Sequence, residues 1–412
     1  MPDFITIVYL TFMFVALYFF SFFIILTIKN NEKLFSYPKP EKKFSISVLT
    51  PAHNEEESIQ DTVEHIMALE YPKNKMEVIV LNDGSTDNTS KIVRKLMKRY
   101  KNLKLIDNEK NLGKARSLNI GIKKAKGELI AVVDSDSFPS KSSLKKLSGF
   151  FSNQNMGAVT SFVRVRNKEK NRLAKIQSIE YLIMGWSRKL LDFIDSVYVT
   201  NGPLSLYRKK YILEVGGFDP ATVTEDIDIT WNMLYHGYKT GMCLDADVST
   251  VAPNNYKVWF KQRMRWGMGG LQAISKYRKM FFRKGMFGAF ILPFVSFSII
   301  MSLLTFIFSI YLVFKFLAVR FLTVGYSITT DSAIFKLQEI NLYPSVIIFF
   351  FVVLFTLSTI YSWYVLNKTK YEQNITTKKF FNILFYTIVY LSVYPIVWFA
   401  SIYKFARKDL TW

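Results

Sequence analysis

Short apolar runs alternate with amphipathic stretches over residues 44–251 of this chain. The apolar runs have the length and the β-branched content of strands, and they are Ser45–Thr50, Met76–Leu81, Leu103–Ile106 and Leu129–Val133. Between them, apolar residues recur at helical spacing over Ser58–Leu69, Asn88–Arg99 and Ala115–Ala125. Strands that alternate with helices form mostly parallel sheets with right-handed crossovers. The pattern therefore predicts an α/β domain with a Rossmann-like, mostly parallel sheet.

Much longer apolar stretches flank this domain. The first covers about residues 4–28, which is long enough to cross a bilayer as a helix. A cleaved signal peptide is the alternative, but no basic region precedes the stretch and it is too long. Asp3 precedes it, whereas basic residues follow it at Lys29, Lys33, Lys42 and Lys43. The positive-inside rule then predicts an integral protein of the cell membrane whose α/β domain is cytoplasmic.

Three apolar stretches follow the α/β domain, at about residues 288–314, 345–366 and 380–405. The first two predict membrane-spanning helices, because both have the length that a bilayer requires. Three spans would place the C-terminus outside, but Lys404, Arg407 and Lys408 oppose that orientation. The last stretch also contains Pro395, so the sequence leaves a kinked helix, a re-entrant segment and a tight hairpin open.

Composition narrows the class of protein. The 412 residues are 50% hydrophobic and 16% aromatic, which excludes a disordered chain, and the formal net charge is +22. Such a basic excess suits nucleic acid, anionic lipid or a phosphorylated substrate, and the membrane stretches favour lipid headgroups and a nucleotide. Cys243 is the only cysteine, so the chain has no intramolecular disulfide and no thiolate metal site.

Two carboxylates follow the strand Leu129–Val133. Ligands of open α/β sheets sit beyond the carboxyl ends of the strands, where Asp134 and Asp136 are expected. Residues two apart in an extended chain project to the same side. Two carboxylates held this close need a counter-cation, and their oxygens suit Mg²⁺ or Mn²⁺. The alternative is an acidic turn that binds nothing.

The turns after the other predicted strands are polar as well. They are Pro51–Glu56, Asn82–Thr89 and Asn111–Arg116. Gly84 allows a tight turn, and Asp87 or Asn88 can cap the following helix. In the third turn, a glycine allows close backbone approach while Lys114 and Arg116 could meet phosphate.

Several motifs stand in one order along the chain. They are Pro51 with Asn54-Glu55, Asp83-Gly84-Ser85 with Asp87, Gly113-Lys114, Asp134-Ser135-Asp136, Thr224-Glu225-Asp226 and Gln262-Arg263-Met264-Arg265-Trp266. This order resembles the family 2 inverting glycosyltransferases. More narrowly, it is similar to the membrane-embedded processive synthases of poly-N-acetylglucosamine, hyaluronan, chitin and cellulose. The Thr-Glu-Asp motif followed by Gln-x-x-Arg-Trp marks the processive branch.

The resemblance implies a fold and a layout. The expected catalytic domain has the GT-A fold and covers residues 30–256, after an N-terminal anchor at 1–29. Residues 257–285 are expected to form interfacial amphipathic helices that carry Gln-x-x-Arg-Trp, and 286–412 to form a helical transmembrane region.

The resemblance also implies residues for a UDP-sugar donor. Those expected to bind the donor are Ala52, Asn54, Glu55, Asp83, Lys114, Asp134 and Arg265. Asp136 is expected to carry the Mg²⁺ or Mn²⁺ that bridges the diphosphate.

Asp226 matches the catalytic base of the family, which takes the proton of the acceptor hydroxyl as that oxygen attacks the anomeric carbon. The residues expected to bind the acceptor are Asn201, Gly202, Glu225, Gln262 and Trp266. The carboxylates near Asp226 also suit a helix N-terminus, with Thr224 as N-cap. The stretch Asn201–Ser205 departs from the aromatic and cysteine-containing loops that are commoner in the family.

The stretch around Gln262–Trp266 has an alternative interpretation as an interfacial helix whose Trp and Arg side chains sit at the lipid headgroups. For Trp259 we favour that interpretation, and for Arg265 and Trp266 we favour function. The basic residues that follow are expected to rest on anionic lipid, and they are Lys276, Arg278, Lys279, Arg283 and Lys284.

Together these features predict a synthase that extends a β-linked polymer from a UDP-sugar, with N-acetylglucosamine favoured and coupled export left open. The alternatives are a glycosyltransferase that modifies a membrane lipid and a non-catalytic basic membrane protein. The expected partners are the donor, a growing glycan or lipid acceptor and membrane lipids, with no nucleic acid. An accessory membrane subunit is left open.

Overall fold

The computed structural model describes residues 4–330, 346–371 and 377–409. Within these residues, an eight-stranded sheet has the order β3-β2-β1-β4-β7-β6-β8-β5. Its strands are β1 Ile46–Ala52, β2 Met76–Asp83, β3 Leu103–Asn108, β4 Leu129–Val132, β5 Ser137–Pro139, β6 Met156–Val165, β7 Ser205–Arg208 and β8 Lys239–Thr250. The four strands predicted from the sequence are therefore present, within about two residues of their predicted ends.

The first half of the sheet is parallel and the second half is mixed. Strands β3, β2, β1 and β4 pair in parallel, as predicted. Strand β7 runs antiparallel to both β4 and β6, β8 runs parallel to β6, and β5 runs antiparallel to β8. The four strands predicted from the sequence make up the parallel half. Strands β5 to β8 come later in the chain and were not predicted.

Helices cover both faces of the sheet. The helices of this domain are α2 Ile59–Met67, α3 Thr89–Met97, α4 Lys114–Lys124, α5 Ser143–Gly149, α6 Arg172–Asp192, α7 Lys209–Glu214 and α8 Glu225–Tyr235. Apolar residues of α2, α3 and α5 form a buried core on one face, and those of α4, α7 and α8 form a core on the other. Parallel strands with both faces covered are buried on both sides, which explains their continuous apolar runs.

The remaining helices lie before and after the sheet domain, and most of them are apolar. They are α1 Phe4–Asn30, α9 Tyr256–Lys276, α10 Leu292–Thr330, α11 Val346–Lys368, α12 Thr377–Phe385 and α13 Tyr394–Ala406. Among the described residues, three helical segments are long and apolar enough to cross a membrane by themselves: Phe4–Lys33, Phe287–Phe321 and Lys379–Ala406. Helix α11 adds 23 residues of similar character, so membrane insertion follows from several segments.

The last apolar segment is interrupted. A π-turn at Tyr386–Tyr390 and a 3₁₀ turn at Leu391–Val393 separate α12 from α13. Pro395 lies in the first turn of α13, where its missing N–H removes no helical hydrogen bond. The segment is one helical run, Lys379–Ala406, with irregular turns in its middle, rather than a tight hairpin of two helices. The first residue of the predicted span 345–366, and the chain before it from 331, lie outside the described residues.

Helix α6 joins the sheet domain to the membrane helices. Its apolar side chains pack with side chains of α9, α11 and the last segment, and Trp186 is fully buried among them. The Trp186 Nε1 donates a hydrogen bond of 3.1 Å to the Tyr361 hydroxyl of α11. Helix α6 is therefore tied directly to the membrane segment α11.

Candidate active site

One large cavity lies where the carboxyl ends of β1, β2 and β4 face the start of α8 and the middle of α9. Its volume is about 880 Å³. The predicted site residues in its wall are Ala52, Glu55, Asp83, Lys114, Asp134, Asp136, Asn201, Gly202, Glu225, Asp226, Gln262, Arg265 and Trp266. At its other end, the wall contains Val295, Ile299, Tyr394 and Val397 of the membrane segments. The sheet edge and the membrane helices therefore share one cavity.

Asn54 is the predicted site residue that does not line the cavity. It is exposed, and its backbone has a φ of 55°. Its Oδ1 accepts a hydrogen bond of 2.8 Å from the Thr86 N–H, and its own N–H donates one of 2.9 Å to the Ser85 Oγ. Asn54 therefore ties the turn after β1 to the turn after β2.

Asp83 anchors the loop before α4. Its carboxylate accepts hydrogen bonds from the backbone of Leu112 and Gly113, at 3.0 and 2.8 Å, and from the Ser117 hydroxyl at 2.7 Å. Burial acts to raise the pKa of Asp83, but these hydrogen bonds outweigh it and hold the pKa below its ordinary value. Asp83 is therefore charged in the folded protein. Its hydrogen bonds to the loop hold Gly113 in place, at a φ of 88°.

Lys114 bridges two carboxylates of the cavity. Its Nζ lies 2.6 Å from the Asp134 Oδ1 and 2.8 Å from the Glu225 Oε1. Burial acts to lower the pKa of Lys114, but the two carboxylates raise it well above its ordinary value. Burial likewise acts to raise the pKa of Glu225, and Lys114 reverses the effect. One positive charge therefore links the end of β4 to the start of α8.

Asp136 has no such partner. Among the described residues it forms no ion pair, and its Oδ1 accepts only long hydrogen bonds, from Ser137 at 3.2 Å and Thr250 at 3.4 Å. Burial, and then the neighbouring charges of Asp134 and Glu55, raise the pKa of Asp136 to about 6. The described residues contain no cluster of three or more metal-ligating side chains. A hard cation bound here would need substrate phosphate or water to complete its ligands, which is how Mg²⁺ is commonly held.

Asp226 lies in the first turn of α8, beside Glu225. Burial, and then the charge of Glu225, raise the pKa of Asp226 to about 6, against the opposing effects of Lys114 and Arg265. Thr224 occupies the N-cap position of α8, as predicted, and Glu225, Asp226 and Asp228 lie in the first turn, although the Thr224 hydroxyl makes no capping hydrogen bond. A carboxyl group with a pKa near neutrality suits a general base.

Asn201 and Gly202 lie against the end of β4. A Cβ atom at position 202 would collide with the Asp134 carboxylate, so a larger residue there requires Asp134 to move. The Asn201 Oδ1 accepts hydrogen bonds from Thr160 and from Arg188, the latter at 3.3 Å. Its Nδ2 is buried without a partner in the part of the chain that the structure describes. The prediction that these residues bind the acceptor stays a prediction; in the structure, Gly202 lies against the Asp134 carboxylate.

Helix α9 carries Gln262, Arg265 and Trp266 into the cavity wall. The Arg265 Nη1 donates a hydrogen bond of 3.2 Å to the Val223 carbonyl, which holds the guanidinium near α8. Trp266 is half-buried, with the guanidinium carbon of Arg263 4.1 Å from its ring centroid. One face of the indole ring is therefore covered by the Arg263 guanidinium, and the ring forms part of the cavity wall.

One prediction about the interface is wrong. Trp259 does not sit at lipid headgroups: its side chain is buried, and its Nε1 donates a hydrogen bond of 2.6 Å to the Tyr390 hydroxyl. Contacts with a distant part of the chain replace the lipid contacts expected from an isolated amphipathic helix. Lys276, one of the residues expected to rest on lipid, is exposed and forms two ion pairs, with its Nζ 2.7 Å from both Asp219 and Asp228.

Sequence reasoning missed several cavity residues of α6. Glu180, Tyr181 and Arg188 line the cavity, but none belongs to a recognised motif. The signal that could have found Glu180 is a carboxylate within the apolar stretch Ile176–Ile183, because a buried charge requires a partner. Its partner is Arg263, which lies in the motif Gln262–Trp266 on α9. The resemblance gave roles to Gln262, Arg265 and Trp266 of this motif, but none to Arg263.

Comparison with known proteins concerns mainly the central domain. Residues 47–216 are similar to glycosyl transferase family 2, the family that the order of motifs resembles. A mannosyltransferase from Pyrobaculum calidifontis, solved in complex with GDP-Man and Mn²⁺, superposes with a TM-score of 0.53 and 20% identity over 65% of this chain and 75% of its own. At that identity the likeness concerns the fold alone, and it confirms the predicted GT-A type of α/β domain.

Sequence relatives extend the resemblance. The chain is 33% identical over 248 residues to a poly-β-1,6-N-acetyl-D-glucosamine synthase of Staphylococcus epidermidis, covering 60% of this chain and 59% of the relative. It is also 33% identical over 233 residues to the synthase of the same name from Staphylococcus aureus strain COL, covering 56% of each chain. The aligned part is therefore somewhat over half the length of these relatives. The predicted resemblance to the poly-N-acetylglucosamine branch is confirmed.

Proposed function

We propose that this protein is a membrane-embedded inverting glycosyltransferase that extends a β-linked polysaccharide from a UDP-sugar. The observation that carries the proposal is the shared cavity, in which the carboxylates at the sheet edge, Asp226 and Trp266 all face one space. N-acetylglucosamine is the favoured sugar, because the relatives named above are synthases of poly-N-acetylglucosamine.

The nucleotide end of the donor would lie over the carboxyl ends of β1 and β2, beside Ala52 and Asp83. Lys114 and Arg265 supply positive charge for a diphosphate. To contact it, Lys114 would exchange part of its bonding to Asp134 or Glu225 for phosphate oxygens. The donor would thus enter a site in which a cation already neutralises the protein's own carboxylates.

A divalent cation fits the same edge of the cavity. Asp136 has a half-buried carboxylate without an ion-pair partner among the described residues, and Asp134 lies beside it. We propose that Asp136, with help from Asp134, holds Mg²⁺ or Mn²⁺, the second being the ion in the mannosyltransferase structure. The cation would supply Lewis-acid stabilisation of the diphosphate leaving group.

Asp226 would accept the proton of the attacking acceptor hydroxyl. A single displacement inverts the anomeric carbon, so an α-linked donor yields a β-linked product. Glu225 remains charged through its ion pair with Lys114, and its negative charge raises the affinity of Asp226 for a proton. Glu225 and Asp226 therefore have different tasks, because of these two only Asp226 has a pKa raised toward neutrality.

The acceptor would stack against Trp266, since an indole ring suits the apolar face of a pyranose. The cavity continues from Trp266 to Val295, Ile299 and Val397 of the membrane helices, which supports movement of the product toward the membrane and coupled export. The same apolar lining favours a second candidate, a single sugar transfer to a membrane lipid. The basic residues at the end of α1 and just after it, beginning at Lys29 and Lys33, support a cytoplasmic catalytic domain.

Product analysis tests both candidates. Membranes that contain the protein would be supplied with radiolabelled UDP-N-acetylglucosamine, UDP-glucose or UDP-glucuronic acid, with and without a chelator. We expect a ladder of products from the first donor, and its loss when the chelator removes divalent cations. A single glycolipid band would favour the second candidate, whereas the absence of incorporation from every donor would contradict the proposal.

A further inference from the structure

A buried ion pair lies between the cavity and the membrane helices. The Arg263 Nη2 of α9 lies 2.5 Å from the Glu180 Oε2 of α6, and their side chains are 1% and 3% exposed. Both residues line the cavity. Removing two charges from water costs several kcal/mol for each ion, so such a pair adds little net stability. Its geometry is therefore better explained by what it positions.

The pair connects three separate parts of the chain. Glu180 accepts hydrogen bonds from the hydroxyls of Tyr390, at 2.8 Å, and of Tyr394. The Arg263 Nε donates a hydrogen bond of 3.1 Å to the Tyr394 hydroxyl. The sheet domain, through α6, and helix α9 are thus joined to the interrupted last membrane segment at its irregular turn. A shift of that segment would break several charge-assisted bonds at once.

The same arginine contacts two side chains of α9, Trp266, which we propose binds the acceptor, and Gln262, which the resemblance assigns to it. Its guanidinium lies over the Trp266 ring, 4.1 Å from the centroid, and its Nη1 donates a hydrogen bond of 2.5 Å to the Gln262 Oε1. Tyr181 approaches the indole ring with a centroid distance of 6.3 Å. Arg263 therefore restricts both the tilt of Trp266 and the amide orientation of Gln262.

We propose that Arg263 and Glu180 are positioning residues, which hold the acceptor platform and the last membrane segment in one fixed relation. The inference rests on the proposed glycosyltransferase function, because the platform is Trp266. An indole ring that is already fixed binds a sugar chain more tightly, because no conformational entropy of the Trp266 side chain is lost on binding. The pair acts on acceptor binding and on product length, and it leaves donor binding unchanged.

Three variants test the inference. Arg263→Lys keeps the charge but loses the planar fork, Glu180→Gln removes the negative charge, and Arg263→Met combined with Glu180→Met replaces the pair by apolar volume. An apolar replacement of a buried pair usually preserves folding. The measurements are the KM for a short oligosaccharide acceptor of β-linked N-acetylglucosamine, the KM for UDP-N-acetylglucosamine and the product length, each normalised to folded enzyme.

We expect the acceptor KM to rise by roughly two- to thirtyfold, the range that cation–π contacts cover, while the donor KM changes by less than about twofold. Products should shorten, and the double methionine variant should show the same defect although it folds. Lys189→Met is the matched control, since Lys189 is another buried cation of α6, paired with Asp192 at 2.6 Å. It should lower the yield of folded enzyme without changing the acceptor KM.

Two results would overturn the inference. One is a double methionine variant with wild-type acceptor KM, and the other is a parallel rise of the donor and acceptor KM values. A wild-type enzyme that adds a single sugar would instead contradict the proposed polymerase function. The acceptor KM values of the variants would then still decide the role of Arg263.

Discussion

Replacing Asp226 by asparagine separates general base catalysis from substrate binding. Asparagine keeps the size of the side chain, but it cannot take the proton of the acceptor hydroxyl. General bases contribute roughly two to four decades of rate, so we expect kcat to fall by that amount. UDP affinity should survive, because Lys114 pairs with Asp134 and Glu225 rather than with Asp226.

The raised pKa of Asp226 gives this prediction a pH dependence with a definite sign. The base works in its ionised form, and its pKa is about 6 instead of 3.8. About 97% of Asp226 is then ionised at pH 7.5 and about 9% at pH 5, so kcat should fall about tenfold between these values as pH decreases. Lys114 acts to lower this pKa, so Lys114→Gln should move the acidic limb to higher pH.

The assay is a pH–rate profile for sugar transfer at saturating donor and divalent cation, beside UDP affinity from calorimetry. Asp226→Asn should lose both the rate and the acidic limb that belongs to this group. A variant with wild-type kcat would refute the assignment of Asp226 as the base. A collapse of UDP affinity together with activity would instead make Asp226 a donor ligand or a structural residue of α8.

Three further substitutions test other parts of the site. Asp136→Ala should abolish transfer and weaken UDP binding only when Mg²⁺ or Mn²⁺ is present; undiminished transfer in a metal-containing buffer would exclude the metal role. Trp266→Ala should shorten products without changing UDP affinity, whereas Trp186→Ala, which removes a buried indole from α6 outside the cavity, should reduce stability by roughly 3–5 kcal/mol and leave product length per folded molecule unchanged. Full-length product from Trp266→Ala would refute the platform. Gly202→Ala should inactivate a folded protein, because its Cβ displaces the Asp134 carboxylate; wild-type turnover would show that the loop can adjust at no cost.

The local pattern of the sequence determined the parallel half of the sheet and which polar residues lie at the carboxyl ends of its strands. Strand periodicity is a property of neighbouring residues, so Met76–Asp83 and Leu129–Val132 could be found without any long-range information. Because parallel strands end at a common edge, the polar residues after them were expected to meet. Asp83, Asp134 and Asp136 do so. The apolar stretches that form membrane helices were determined in the same way, by length and composition.

Only the tertiary structure decided how the charges of the site pair. Lys114 was expected near phosphate, and its contacts with Asp134 and Glu225 depend on where α8 begins relative to β4. Arg263 and Glu180 are 83 residues apart in the chain, and Trp259 meets Tyr390 across 131 residues. No local pattern encodes such pairs, because each depends on the packing of α6, α9 and the last membrane segment around one core. Burial in that core, where an unpaired charge is costly, is the physical reason these partners are found together.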